Sequence, residues 1–501
     1  MQSIGNDSQK VIDREAVPAA VIEISKRDEV HLKIACEASV AQEICDYFTF
    51  TVPGYTFMPA YRMKIWDGKI RLFNIHNRLL YGGLLEYVFK FAENRHYKVV
   101  PDGDWWKPIK IEENKNFIDN LKLPFEPRDY QLNAFHHALS YKKSLLVSPT
   151  ASGKSLIIYL LVRALNVKTL IIVPTTSLVS QLYADFQEYG WDSSKYCHQV
   201  YAGQDKVSDK KVVISTWQSI YKLGRKLFEP YKLVIGDEAH GFKSKSLTAI
   251  MTKCVNAEYR IGTTGTLDGT QTHKLVLEGL FGKIYKVTTT KKLIDRKQLA
   301  SFRIDIIVLK YPDKVCEQFK KIKYADELEY IVTHEKRNKY IRNLVLSLDG
   351  NTLLLFRLVK KHGRILYNMI KEETDVNNRQ TFFVYGGTET DTREQIRAIA
   401  EKERDAIIVA SYGVFSTGIN IRNLHNIIFA SPSKSRIRNL QSIGRGLRLS
   451  DNNQETVLYD ITDDLRWKNR KNYAYRHHED RMKIYDEEKF PYKIYNIPLK
   501  A

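Results

Sequence analysis

Ten short runs constrain what this chain can fold into. Five fall between about 125 and 290: SLLV (144–147), TLIIV (169–173), KVVIST (211–216), KLVIG (232–236) and YRIGTT (259–264). Five more fall between about 350 and 462: TLLLF (352–356), TFFVY (381–385), AIIVA (406–410), NIIFA (426–430) and TVLYDI (456–461). They are rich in β-branched and aromatic residues and lack polar alternation. Strands of that kind are buried on both faces, as in a parallel sheet covered by helices. Segments of helical spacing separate them. The chain should therefore contain two α/β domains in tandem. FRIDIIVLKY (302–311) is a further strand candidate, and a charged helical stretch follows it. Residues 291–345 read as a hinge region plus an insertion.

The N-terminal part has a different texture. Residues 1–25 are polar and read as a flexible tail without an apolar signal core. VHLKIAC alternates like a strand, VAQEICDYF has helical spacing, and GLLEYVFKFAENRHY reads as an amphipathic helix. MKIWDGKIRLF reads as two short strands joined by Asp67-Gly68, a dipeptide favoured in tight hairpins. A small α+β domain over 26–115 results, its last part a polar, Trp-containing connector. Residues 466–501 read as a basic helical C-terminal extension, with 78 Lys and Arg in the whole chain against 58 Asp and Glu.

That imbalance gives a net charge of +20. A solvated basic surface accounts for part of it. Such an excess on a folded chain also points to a polyanionic partner, nucleic acid first. The five cysteines are scattered, with no C-x2-C pair, which argues against a disulfide framework or a zinc site and for a reducing, cytoplasmic compartment. His136–His137 and His477–His478 lack metal-ligand spacing. No apolar run approaches the ~20 residues that span a bilayer.

Two motifs carry chemistry. Ser148 to Ser155 reads SPTASGKS, the second half of the phosphate-loop pattern with Ser148 at its first glycine. The strand before it and the helix after it are the context such a loop needs, because backbone N–H groups and the helix N-terminus then face phosphate. Gly153 would permit close backbone approach, Lys154 would reach the β- and γ-phosphates, and Ser155 would hold Mg2+. KLVIGDEAH places acids at a strand end, where sites of open α/β sheets lie. Asp237 would complete the Mg2+ coordination and Glu238 would activate the attacking water.

The pairing of PTASGKS with DEAH resembles the superfamily 2 helicases, and further signatures follow in that family's order. The resemblance implies two RecA-like motor domains, over 116–295 and 296–465, and the use of ATP. EPRDYQ resembles the adenine-recognising element, so Gln131 would read the adenine edge with Arg128 nearby; Thr150 and Ser152 join the nucleotide-binding set. IIVPTTSLVSQ and STWQS resemble the motifs that contact the nucleic-acid backbone, through Pro174, Thr175, Thr216 and Gln218. Thr264-Gly265-Thr266 stands where the family has a S/T-A-T triplet that couples hydrolysis to movement, with Gly265 a departure. YGGTETDTRE resembles an interdomain loop containing Gly386. In VASYGVFSTGINI, Thr417 and Gly418 would face both nucleic acid and nucleotide. QSIGRGLR supplies Gln441, with Arg445 and Arg448 as arginine fingers on the γ-phosphoryl group. His240 completes the catalytic set. A small residue in place of the first loop glycine is common in the superfamily.

Residues 54–84, GYTFMPAYRMKIWDGKIRLFNIHNRLLYGGL, resemble the N-terminal domain of the bacteriophage UvsW helicases. Overall length and the ASYGVFSTGI wording fit the same family. The resemblance implies action on branched DNA: fork regression, junction migration and removal of R-loops, in recombination, replication restart and repair. Its partners would be junction, duplex and single-stranded DNA and RNA–DNA hybrids, with a single-strand-binding or small accessory protein to consider. The expected state is a monomer in the cytoplasm, the host's if the chain is viral. Arg62, Lys69 and Arg71 would meet DNA phosphates, with Tyr61, Trp66 and Phe73 packing in the domain or stacking on bases. The alternatives are a duplex translocase, an RNA helicase, and a DNA-binding or annealing protein without catalysis.

Overall fold

Residues 20–111, 115–201, 203–267, 270–376, 379–417, 423–432, 435, 443–444 and 455–499 are described in a computed structural model of the protein. The chain divides into a unit ending at Lys107 and a unit beginning at Pro108.

The first unit contains strands β1 (Val21–Lys26), β2 (His31–Ala35), β3 (Thr49–Thr51), β4 (Lys69–Arg71), β5 (Phe73–Asn74), β6 (Leu79–Tyr81) and β7 (Lys98–Pro101). Five of them form a mixed sheet in the order β5-β6-β2-β1-β7. Burial alternates along β1 and β2, so Ile22, Ile24, Leu32 and Ile34 face the core and their neighbours face water. Helices Ala38–Tyr47 and Leu85–Glu93 contribute Val40, Ala41 and Ile44, and Leu85, Val88 and Phe91, at the three- to four-residue spacing of one helical face.

The expected hairpin around Asp67-Gly68 does not form. Pro59–Arg62 is a short helix, and β4 pairs antiparallel with β3, Phe50 opposite Ile70. Gly68 has φ +80, and a Cβ there would lie 2.3 Å from the Tyr55 ring. The glycine thus serves a close packing contact rather than a two-residue turn. Phe73 is core, at 1% exposure, whereas Trp66 is half-buried and donates from Nε1 to the Lys69 carbonyl at 2.8 Å.

The second unit holds two seven-stranded, wholly parallel sheets. The first comprises β8 (Lys143–Val147), β9 (Thr169–Val173), β10 (Cys197–Val200), β11 (Val212–Thr216), β12 (Leu233–Asp237), β13 (Tyr259–Thr264) and β14 (Ile284–Lys286), in the order β10-β11-β9-β12-β13-β8-β14. β9, β11 and β12 are buried at every residue, as their unbroken apolar character predicts. The order matters for function. It sets β12, β13 and β8 side by side, with Asp237 level with Thr263 and Thr264 level with Val147.

The second sheet comprises β15 (Phe302–Lys310), β16 (Thr352–Phe356), β17 (Thr381–Val384), β18 (Ile407–Ser411), β19 (Asn426–Phe429), β20 (Thr456–Asp464) and β21 (Tyr492–Pro498), in the order β17-β18-β16-β19-β20-β15-β21. Two expectations change here. FRIDIIVLKY is the strand expected of it, but not part of a hinge: as β15 it runs parallel between β20 and β21, seven of its nine residues buried. The stretch 466–501 is not only helical. Helix Tyr473–Glu488 packs against β20, and β21 then joins the sheet edge. A strand exposed along most of its length, with Lys493 and Pro498, carries little apolar signal but suits an edge.

Candidate functional site

The carboxyl ends of β8, β12 and β13 converge on residues 148–155. Helix Lys154–Leu165 begins immediately after the loop, so its unpaired N–H groups face the loop's concave side. Gly153 has φ +77 and Ala151 φ 65, the left-handed turns that curl this backbone. Ser152 Oγ donates to the Pro149 carbonyl at 2.6 Å, and Ser148 Oγ donates to Ser152 Oγ at 2.6 Å. Serine at the first position of the pattern therefore braces the loop from within. Lys154 folds over the loop, its Nζ 3.4 Å from the Ser148 carbonyl and 3.5 Å from that of Pro149.

Gln131 lies under the loop, 4% exposed. Its Oε1 accepts from Arg128 N at 2.9 Å, and its Nε2 donates to the Ser152 and Gly153 carbonyls at 3.0 and 3.3 Å. Tyr130 OH donates to the same Ser152 carbonyl at 3.0 Å, and Arg128 Nη1 donates to Tyr130 OH at 2.8 Å. The segment expected to read adenine is thus joined to the phosphate loop itself.

Asp237 ends β12, 8% exposed, and accepts from Thr263 Oγ1 at 2.7 Å. Burial pushes its carboxyl above the usual range and Glu238 adds repulsion, while Lys154 and the Thr263 hydroxyl pull it down. A buried carboxylate facing a lysine and a second acid is a place for a cation. Glu238 has φ 49, a left-handed conformation costly for a non-glycine residue. His240 Nδ1 lies 3.3 Å from Glu238 Oε2 and 3.1 Å from Thr264 Oγ1. Thr264 Oγ1 in turn donates to the Thr266 carbonyl at 3.0 Å, and Ser148 N donates to the Thr264 carbonyl at 2.9 Å. The acidic motif, the threonine triplet and the phosphate loop form one hydrogen-bonded chain.

The donor set fits ATP with Mg2+: a hydroxyl and a carboxylate are hard oxygen ligands, and the curled loop is lined by backbone N–H groups. A Cβ at Gly265 would meet Thr150 Oγ1 at 3.5 Å and Lys154 Nζ at 3.7 Å, ordinary contact distances, so the triplet's departure from alanine leaves space beside the loop rather than relieving a clash. From the second sheet, the backbone at Gly444 closes on the loop: a Cβ there would lie 2.6 Å from Thr150 Cβ. A cavity of about 910 Å³ opens beside this contact, lined among others by Pro149, Thr150, Thr266, Lys274 and Gly444. Arg445, Arg448, Gln441 and Gly418 lie outside the described residues; Thr417 ends helix Tyr412–Thr417, its side chain likewise outside them.

Four of the residues expected to touch nucleic acid, Pro174, Thr175, Thr216 and Gln218, lie at the carboxyl ends of β9 and β11. Thr175 caps helix Thr176–Glu188 and accepts from Leu178 N at 3.4 Å. Gln218 Nε2 donates to the Pro174 carbonyl at 3.2 Å, tying the two motifs together. Thr216 is buried, its Oγ1 2.9 Å from Ser219 Oγ. Gly386 is exposed in its loop, its carbonyl accepting from Arg393. In the first unit Arg62, Lys69 and Arg71 are exposed; Arg71 is held by Asp67 at 2.5 Å and Arg62 Nε donates to the Thr56 carbonyl at 3.3 Å. Thr263 and Tyr189, which bonds Ser155 Oγ at 2.8 Å, escaped the sequence reading. Thr263 adjoins the triplet and could have been suspected; Tyr189 carries no local signal.

Three family models match the chain: "Type III restriction enzyme, res subunit" over residues 124–269, "DNA helicase UvsW, N-terminal" over 21–102, and "Helicase conserved C-terminal domain" over 335–450. The chain is similar to the ATP-dependent DNA helicase uvsW of Enterobacteria phage T4, 34% identical over 506 residues that cover 95% of this chain and 100% of that protein. It is similar also to the DNA 3'-5' translocase XPB2 of Sulfurisphaera tokodaii, 27% identical over 75% of this chain and 89% of the relative. Among solved structures, a fragment of an HsdR subunit of a type I restriction enzyme from Vibrio vulnificus matches with TM-score 0.56 at 17% identity, covering 77% of this chain and 72% of that one, a likeness of fold.

Proposed function

Since this chain belongs to the UvsW family of superfamily 2 ATP-dependent DNA helicases, we propose that its substrate is branched DNA and that it regresses forks, migrates junctions and clears R-loops. The observation that carries this reading is in the first unit. Phe57, Met58, Met63 and Ile65 stand 76, 39, 62 and 74% exposed, an apolar knob on a soluble surface. Arg62, Lys64 and Lys69 lie exposed among them. Apolar side chains that unstack a base step, flanked by cations that hold the phosphates, suit a point where strands part. The knob lies within the region matched by the UvsW N-terminal model.

The motor reading assigns the steps to named groups. The loop 148–155 and Lys154 bind the ATP phosphates, with Ser155 and Asp237 holding Mg2+. Glu238 aligns water, and Arg445 and Arg448 neutralise the transferring phosphoryl group. The ion adds Lewis-acid charge neutralisation when bound. His240, Thr264 and Thr266 pass the change at the γ-phosphate to the strand contacts at Pro174, Thr175, Gln218, Gly386 and Thr417. Contacts to the backbone suffice, because a motor must pass any sequence. The relative's name supports 3'-to-5' movement. A monomer in the host cytoplasm, with R-loop hybrids among its substrates, completes the proposal.

The test is the steady-state ATPase rate at equal nucleotide concentrations of four-way junction, linear duplex, single-stranded DNA and RNA. Strongest stimulation by the junction supports the proposal. Equal stimulation by linear duplex replaces it with a plain translocase, and RNA as best activator overturns the DNA preference.

A further inference from the structure

Ser155 makes a contact that the phosphate-loop pattern does not contain. Its Oγ lies 2.8 Å from Tyr189 OH, which comes from the far end of another helix. Tyr189 is the C-cap of Thr176–Glu188, its N–H donating to the Asp185 carbonyl, so the last turn sets the direction of its ring. The ring is 8% exposed and sits edge-on to Phe125 at 5.7 Å and Tyr159 at 5.2 Å. Tyr159 belongs to the helix that starts at Lys154.

The opposite end of Thr176–Glu188 is the group of strand contacts. Thr175 caps it and Gln218 grips the Pro174 carbonyl. Thirteen residues at 1.5 Å each make a rod of about 20 Å between the two ends. Val179, Leu182 and Phe186 lie buried along one side of the rod, which favours motion of the helix as a body over bending within it.

We propose that Tyr189 is a positioning residue: through helix Thr176–Glu188 it ties engagement of a DNA strand at Pro174–Thr175 to the orientation of the Ser155 hydroxyl toward Mg2+. The inference rests on the motor reading above and adds a route separate from the His240–Thr264 chain. A serine hydroxyl that offers a lone pair to a cation must send its proton elsewhere, and Tyr189 OH is placed to accept it. When the helix shifts at its strand-contacting end, the acceptor shifts at the other.

Linkage makes the relay testable without turnover, because two coupled ligands must favour each other by the same factor. The dissociation constant of a single-stranded oligonucleotide is measured with and without a non-hydrolysable ATP analogue and Mg2+, on the full chain and on Tyr189→Phe, which keeps the ring and removes the hydroxyl. The expected result is a coupling factor cut by about threefold or more, while affinity for DNA alone and for the analogue in EDTA stays within about twofold. The Mg2+ concentration that gives half of the metal-dependent gain in analogue affinity should rise. A wild-type factor near one, or an unchanged factor in Tyr189→Phe, overturns the relay. Ser155→Ala separates the causes. Loss of the Mg2+-dependent gain in that variant keeps the metal assignment standing, so that an unchanged factor in Tyr189→Phe then overturns the relay alone; a gain left intact overturns the metal assignment and the relay with it.

Discussion

Gly153→Ala should damage the phosphate loop in two separable ways. The first is conformational: φ is +77, and a left-handed residue other than glycine costs about 1–2 kcal/mol. The second is a collision, since the new Cβ would lie 2.3 Å from Gln131 Nε2. Gln131 must then swing away and surrender its bonds to the Ser152 and Gly153 carbonyls. Stranding a buried amide costs about 1–3 kcal/mol, so the variant should lose about 2–5 kcal/mol in all. Gln131→Ala alone should cost about 1–3 kcal/mol, chiefly because Arg128 N loses its acceptor. In the double variant nothing remains to collide. Gly153→Ala should then add only its conformational cost, leaving a coupling energy of about 1–3 kcal/mol between the two sites. Urea unfolding of the four proteins, followed by intrinsic fluorescence and paired with ATP-analogue binding, measures the cycle. Costs that add to within about 0.5 kcal/mol would refute the idea that Gln131 and Gly153 form one packed unit.

Lys154→Ala should abolish ATP hydrolysis while DNA binding persists, measured by phosphate release and by fluorescence anisotropy; normal turnover would remove the loop from the active site. His240→Ala should lower strand separation per ATP hydrolysed more than hydrolysis itself, because the bond to Thr264 Oγ1 at 3.1 Å joins the acidic motif to the threonine triplet; equal losses would place His240 in hydrolysis alone. His137 stacks between Tyr141 and Tyr285 at 4.4 and 4.0 Å, and burial, helped by Lys283, holds its pKa down at about 4 against an ordinary 6.5. Between those values the unfolded chain binds the proton more readily, so the stability from the neutral ring is complete above about 6.5 and declines as pH falls toward about 4. His137→Phe should flatten that part of the melting-temperature profile; an identical slope in the variant would contradict it.

Most of the fold and the strand–loop–helix around SPTASGKS were legible because their signals are local. A buried parallel strand announces itself in five consecutive apolar residues, and SPTASGKS carries its turns and its lysine in one stretch. Strands β10 and β14 were missed because CHQV and IYK are too short and too polar to register. β15 was recognised as a strand but set in a hinge region, because its neighbours, β20 and β21, lie far along the chain and parallel pairing leaves no trace in adjacent residues. The Asp67-Gly68 signal was genuine chemistry in the wrong frame: the glycine is required, but by the Tyr55 ring. Thr216 was assigned to the strand-contacting set by its motif, yet the structure buries it at 4% exposure. Tyr189 is 34 residues from Ser155, with only tertiary packing to bring them together.

The place of β21 has a consequence for the order in which the protein is made. The first seven-stranded sheet is complete once residue 286 has emerged, whereas β15 gains its second neighbour only when 492–498 are available. Until then FRIDIIVLK, the most apolar long strand of that sheet, presents an open edge to whatever other chains are nearby. A nascent or truncated product ending before β21 should therefore be the aggregating form, its ATP-binding half already folded while its partner waits for a final seven-residue seam.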